Sequence, residues 1–323
     1  MKFRTLLWGA LEIGAGKAIN EMRNRFSKTT FAFLLIAIPS LILIMVASLA
    51  AQDRGIESGK VVLKWLGNAG WEIRYGQTVI LIDPFLTRKD RVMDAEWKTD
   101  EAAVLKVITG ADYIFAGHSH LDHIGDVPFI AKRFGAKVIG SRTTANLMLS
   151  AGVNPSQLVT IRGGENLNEK NFSVRVIESR HGVLQRNGRR TQPKSEELLE
   201  AKSAPLLGRD FVEGKSFLYY FTFGKHRILN QSTGNFIVEN LAGLQPDTVL
   251  MAPVRGYDLA SVLKTLTPQT IIHHHFDEWR TPFEHGVPQS NTRRAESFVR
   301  EVKAVNEKIK VIVPSFLTTY TLD

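Results

Sequence analysis

Cysteine is absent from the 323 residues. That excludes disulfides, thiol nucleophiles and every zinc site built on thiolate, so a transition metal would have to be held by His, Asp or Glu. Long basic runs and basic stripes interleaved with aromatics are missing as well. The formal charge is +9, but Lys2, Arg4, Lys17, Arg23, Arg25 and Lys28 against Glu12 and Glu21 account for +4 of it, leaving +5 over the other 273 residues. A spread that thin argues against nucleic acid as a partner. Apolar residues make up 44% of the chain and aromatics 9%, enough for a sizeable core and too much for a disordered chain.

One uncharged run, "FAFLLIAIPSLILIMVASLA" at 31–50, is long enough to cross a bilayer as a helix. Arg23, Arg25 and Lys28 precede it, which predicts a cytoplasmic N-terminus and an exported bulk. Read from Met22 instead of Met1, the same segment has a basic start, an apolar middle, and Ser48 and Ala50 ahead of a cut. The expectation is therefore an exported domain. It is anchored in the inner membrane facing the periplasm or the outside, or is released to the periplasm after cleavage near Ala50. Residues 1–55 form the n-region with its anchor or signal helix, and 56–323 form the folded domain.

Beyond residue 60, short apolar runs with turn signals alternate with helical patterns. Strands are expected at 60–66, 70–75, 78–83, 111–117, 136–141, 172–179, 216–223, 226–231, 247–253, 270–275 and 310–314. Helices are expected at about 101–109, 126–134, 143–151, 257–265 and 291–307. Hairpins followed by strand and helix alternation, twice over, predict an α/β (α+β) chain, a four-layer αββα sandwich of two mixed sheets with outer helices. The polar stretch 182–215 fits no element and reads as a lid or substrate loop.

"AGHSHLDHIGD", 116–126, presents His118, His120, Asp122 and His123 on one turn after a strand. Imidazoles with a carboxylate suit zinc, manganese or iron. A capped turn, with Asp122 or Asp126 at a helix start, would explain none of the histidines.

These residues carry a resemblance. His-x-His-x-Asp-His is the hallmark of metallo-β-lactamase-fold hydrolases, and the likeness runs from about Val61 to Pro314. "VVLKWLGNAGWEIRYGQTVILIDPFL" followed by that motif is most similar to the branch holding ascorbate-phosphate lactonase and N-acyl-phosphatidylethanolamine phospholipase D. The resemblance implies a first metal on His118, His120 and His181 and a second on Asp122, His123 and His275. It implies zinc, one ion or two, with manganese or iron(II) as alternatives. Asp122 is the catalytic candidate, holding and orienting the attacking hydroxide. Asp83 in "LIDPF" would orient the ligands. In "IIHHHFDEW" strand alternation puts His273 and His275 on one face, with His273 beneath the ligand and His274 packing on the other side.

Two departures stand out. Where the family has a bridging aspartate, "LNQSTGNF" (229–236) has Ser232, and no carboxylate occurs between 226 and 238. Without that anion, two cations a few Å apart would repel unscreened. One metal, a looser pair bridged by hydroxide alone, or a site without catalysis would follow. Asn68 stands where the branch often has histidine, keeping a donor but no titratable group.

The expected activity is hydrolysis of an ester, lactone or phosphodiester on a small-molecule or lipid substrate. Arg186, Arg189 and Arg190 are available to a phosphate or carboxylate. A pseudoenzyme or binding protein, or a mono-iron redox enzyme on the same fold, are the alternatives. The sequence does not speak to oligomeric state.

Overall fold

A computed structural model describes residues 59–89, 93–186, 189–191, 196–232, 235–253 and 256–323, with backbone alone at 184–186 and 189–191. The apolar run at 31–50 lies outside the described residues, and among those described no helix is long and apolar enough to cross a membrane.

The first sheet begins as an antiparallel meander of β1 (Val61–Gly67), β2 (Gly70–Tyr75) and β3 (Thr78–Ile82). Helix α1 (Glu101–Val107) then crosses over to β4 (Tyr113–Phe115). Helices α2 (Leu121–Ile124) and α3 (Val127–Phe134) lead to β5 (Lys137–Gly140), and α4 (Arg142–Ser150) to β6 (Leu158–Thr160). β3 to β6 are parallel.

The second sheet repeats the plan. β7 (Asn166–Asn168) and β8 (Ser173–Ser179) pair antiparallel. A separate ribbon of β9 (Leu184–Arg186) and β10 (Arg189–Thr191) intervenes. β11 (Ser216–Phe223) and β12 (His226–Gln231) continue the antiparallel half, joined by the expected turn at Gly224, whose φ is +54. β13 (Thr248–Met251), α5 (Leu259–Leu266), β14 (Thr270–His273), α6 (Gln289–Val305) and β15 (Lys310–Ile312) form the parallel half. β16 (Thr319–Leu322) returns to the first sheet, beside β1.

Strand alternation sorts side chains into three cores. Ile80 and Ile82 of β3 face the second sheet, where Phe115 meets Phe221 with ring centroids 5.1 Å apart. Val79 and Leu81 face the other way, against Val104, Ile130 and Leu147 of the outer helices. Leu229, Val249 and Ile271 pack in the same manner against Val262, Leu266, Phe298 and Val302. The result is the expected helix, sheet, sheet, helix order. Strands β6, β7, β9, β10 and β16 are additions to the expected set; each has three or four residues, too short for a period to register.

Part of the stretch read as a lid is fastened down. Leu198 N–H donates to Thr143 Oγ1 (3.0 Å), Asn146 Nδ2 to Leu198 O (2.8 Å), and Lys202 N–H to Ser150 Oγ (2.7 Å), all on α4. Leu206 and Phe211 are buried with the helix-side core. Glu213 O accepts the Ser119 N–H at 2.8 Å. Residues 196–215 are thus a strap docked along α4 that ends against the histidine loop, not a free lid.

Candidate metal centre

Strand direction decides where the chemistry gathers. β3 and β4 run parallel, and β8, β12 and β14 share one direction in the other sheet. The residues just past their C-terminal ends are Asp83, His118, His181, Ser232 and His275. These meet at one rim, as the contacts below show.

Two groups of three ligand atoms form there: His118, His120 and His181, and Asp122, His123 and His275. Within each, the atoms lie within 4.8 Å of one another. His118 Nε2 stands 2.9 Å from His120 Nδ1, and His275 Nε2 stands 3.2 Å from His123 Nε2. Imidazole nitrogens aimed at each other so closely need either a shared proton or a cation between them. At the first pair the protonation state of His118 favours the cation. Burial, helped by the neighbouring histidines, holds His118 well below its ordinary pKa, so its ring is neutral and can act as a ligand. Burial raises Asp122, but His123, His275 and His120 outweigh it and keep the carboxyl below its usual range. The donor set fits a divalent metal of the kind that takes nitrogen and oxygen ligands.

Asp83 is fully buried at φ +43 and organises the second group. Its Oδ1 accepts the Gly117 N–H at 2.7 Å, and its Oδ2 accepts His123 Nδ1 at 2.9 Å. Ser232 Oγ donates to the same Oδ2. His123 therefore turns Nε2 toward Asp122 Oδ2, 3.7 Å away, and toward His275. Burial lowers His123, but Asp83 and Asp122 outweigh it and hold it above its ordinary value. Gly117 has to be glycine, because a Cβ there would overlap the Ser232 side chain and come 2.9 Å from Asp83 Oδ2. Asn68 Nδ2 donates to Asp122 O at 2.6 Å and to Asp122 Oδ2 at 3.2 Å.

A sequence model of the metallo-β-lactamase superfamily matches residues 64–210, which hold the histidine loop and His181. Over those residues the chain is similar to the metallo-β-lactamase superfamily. A UPF0173 metal-dependent hydrolase from Polynucleobacter asymbioticus is 33% identical over 140 residues, 42% of this chain and 47% of that protein. One from Brucella ovis is 30% identical over 128 residues, 39% of this chain and 50% of that protein. The chain thus spans about half the length of the curated relatives it matches. The solved structure of Igni18, a metallo hydrolase from Ignicoccus hospitalis, is similar with a TM-score of 0.56 and 18% identity, covering 82% of this chain and 99% of that one. At that identity the likeness is one of fold.

Against the metallo-β-lactamase pattern, one expected placement is corrected. His273 does not lie beneath His275. Its Nδ1 meets Met251 O at 2.9 Å and its ring stacks on Phe298, 4.0 Å between centroids, on the helix side of the sheet. His274 is the residue turned toward the facing sheet, accepting Trp71 Nε1 at 2.7 Å and donating from Nε2 to Gln231 O at 2.8 Å. Alternation fails because β14 stops at His273 and His275 adopts φ +55, which swings its ring to the centre. Burial pushes His273 down to about 4 and His274 down to about 3, so both are neutral packing groups.

Ser232 and Asn68 do touch the centre, through Asp83 and Asp122 respectively. Arg186 and Arg189 pair backbone to backbone across the β9–β10 ribbon, with Arg190 beside them, and the three side chains lie outside the described residues. Sequence reasoning offered Asp126 only as a helix start. It stands at the N-cap of α3, but its side chain makes no capping bond and instead accepts Leu86 N–H, Thr87 N–H and Thr87 Oγ1 at 2.7, 2.8 and 2.6 Å, tying the loop after β3 to the histidine loop. The same reasoning missed the pairing of Asp277, read only as part of the His275 motif, with Arg88, 189 residues away in the chain.

Proposed function

We propose that this chain is a metal-dependent hydrolase that attacks an ester, lactone or phosphodiester with water. The observation that carries the reading is the pair of three-residue ligand groups side by side at one rim. His118, His120 and His181 would hold one cation and Asp122, His123 and His275 a second. Zinc suits so imidazole-rich a set, with manganese and iron(II) as alternatives. When bound, such a cation supplies Lewis acidity, lowering the pKa of water and polarising the scissile carbonyl or phosphoryl oxygen.

The chain's own residues do the rest. Asp122, kept ionised by its histidine neighbours, accepts a hydrogen bond from the attacking water and orients it. Asn68 Nδ2 steadies that carboxylate. Asp83 accepts the hydrogen bond of His123 Nδ1–H, and a proton kept there leaves the Nε2 lone pair turned to the group's centre. Relatives named metal-dependent hydrolases support the class of reaction. The resemblance to the lactonase and phospholipase branch supports a lactone or a lipid phosphodiester as substrate. Arg186, Arg189 and Arg190 are the groups proposed to meet its anionic part. The apolar run at 31–50 behind Arg23, Arg25 and Lys28 supports export and a working place at the membrane.

The test is a panel of lactones, esters and phosphodiesters offered to the full chain loaded with zinc or manganese. Turnover lost in His118→Ala and His120→Ala is expected; turnover untouched by both would refute the reading. A second reading, a binding protein without turnover, is favoured by Ser232, which gives its hydroxyl to Asp83 where a bridging carboxylate is expected. Metal uptake with no turnover across the panel would support it.

A further inference from the structure

Behind the second group lies a buried ion pair that none of the six ligand candidates includes. Arg88 Nη2 stands 2.8 Å from Asp277 Oδ2, with side-chain exposures of 2% and 0%. The guanidinium also donates from Nε to Thr281 O and from Nη2 to Glu278 O, both at 2.6 Å. Its centre lies 4.7 Å and 4.9 Å from the ring centroids of Phe283 and Phe316. Arg88 thereby fastens the chain that follows His275 to the loop that follows β3.

The other face of the pair points inward. Asp277 Oδ1 and Oδ2 accept the Asn68 backbone N–H at 3.0 and 3.1 Å. Asn68 is fully buried at φ +50, a conformation a non-glycine residue keeps only when its surroundings hold it there. From that position its carbonyl oxygen accepts the His275 N–H at 2.9 Å, while its side chain holds Asp122. Two of the three members of the second group, 153 residues apart by their numbers (275 less 122), are thus set by one residue.

Stability alone does not explain why the pair is charged. Removing two charges from water costs about as much as their attraction returns, and an apolar pair of similar volume is often as stable or more so. What an apolar pair cannot do is accept the Asn68 N–H. We propose that Arg88 and Asp277 are positioning residues of the second group, a locked carboxylate that fixes Asn68 and, through it, the places of Asp122 and His275. The proposal rests on the reading that Asp122, His123 and His275 hold a cation.

The full chain is titrated with Zn²⁺ by calorimetry, with elemental analysis alongside. The equivalent that belongs to the second group is the one that His275→Ala removes. Asp277→Leu, which removes the acceptor of the Asn68 N–H, weakens that equivalent about ten- to a hundredfold, the range for groups that orient metal ligands, and leaves the other unchanged. That single change strands the Arg88 charge and lowers the melting temperature, so Arg88→Met/Asp277→Leu separates the two effects. With both charges gone the melting temperature recovers, yet the second equivalent stays weak because the Asn68 N–H still lacks its acceptor. Asp112→Ala is the control: it removes the acceptor of the Val79 N–H at the opposite end of β3 from Asp83, lowering the melting temperature with both equivalents intact. A second equivalent as tight as wild type in Asp277→Leu or in the double variant overturns the relay alone. No equivalent lost in His275→Ala refutes the reading beneath it, and the relay with it.

Discussion

Exchanging Asp83 for asparagine replaces one carboxylate oxygen with a donor at a point where three donors already converge. The Gly117 N–H, His123 Nδ1 and Ser232 Oγ all give to this carboxylate. With the amide oxygen kept on Gly117, the new N–H₂ faces His123 Nδ1 and Ser232 Oγ. The serine hydroxyl can rotate and accept. The imidazole can accept only by moving its proton to Nε2, the nitrogen that faces Asp122 and His275. Loss of charge-assisted bonds that are partly replaced costs about 1–3 kcal/mol of stability, a few degrees in melting temperature. The metal cost is more selective. A proton on Nε2 removes one of three ligands from the second group, so Asp83→Asn should weaken that equivalent about ten- to a hundredfold, or about 1.4–2.8 kcal/mol. Calorimetric titration measures the loss, and ¹⁵N spectra of the histidine ring report which nitrogen carries the proton. A variant whose His123 keeps its proton on Nδ1, with both equivalents unchanged, would show that Asp83 does not set the tautomer.

Other substitutions probe the same rim from different sides. Gly117→Ala drives a methyl group into the Ser232 side chain and should cost about 1–3 kcal/mol in urea unfolding; Ser232→Gly in the same chain should recover most of it, and additive losses would refute the collision. Ser232→Asp sets a second carboxylate beside Asp83, so the metal-free protein should melt lower and the metal-loaded protein higher than wild type in thermal-shift assays; an unchanged gap would argue that the carboxylate faces away from the cations. Burial pushes the Glu213 carboxyl up to about 7. The folded state therefore holds a proton that the unfolded chain releases above about 4.5, and stability present below that pH is lost as pH rises through 7. Glu213→Gln should gain up to about 3 kcal/mol over wild type at about pH 8 and nothing at about pH 4. A gain equal at both pH values would contradict the burial argument.

What the sequence made legible was whatever is encoded locally. The histidine loop announces itself because four ligand candidates fall within six positions of one turn, and the alternating strands announce themselves because their period is two. His181 and His275 came from a resemblance, not from any local pattern. The misplaced His273 shows the limit of counting along a strand: alternation holds only while the backbone stays extended, and the φ of +55 at His275 is imposed by its N–H bond to Asn68, far away in the chain. The strap at 196–215 was unreadable for a similar reason. Leu206 and Phe211 are buried without periodicity, and the backbone is satisfied by α4 rather than by itself. Asp277 and Arg88 look like ordinary surface charges until the fold buries them against each other.

Each ligand group draws members from both sheets: His118 and His120 with His181, Asp122 and His123 with His275. A cation in either group would therefore be a cross-link between the two halves of the sandwich, in a chain that has no cysteine with which to make a covalent one. Such a clasp is reversible and set by concentration, strengthening the folded state by RT ln(1 + [M]/Kd) as free metal rises. Under a chelator the seam between the sheets, more than the interior of either sheet, should then be the first part to exchange its amide protons. The metal supply of the surrounding compartment would act directly on how firmly the two halves hold together.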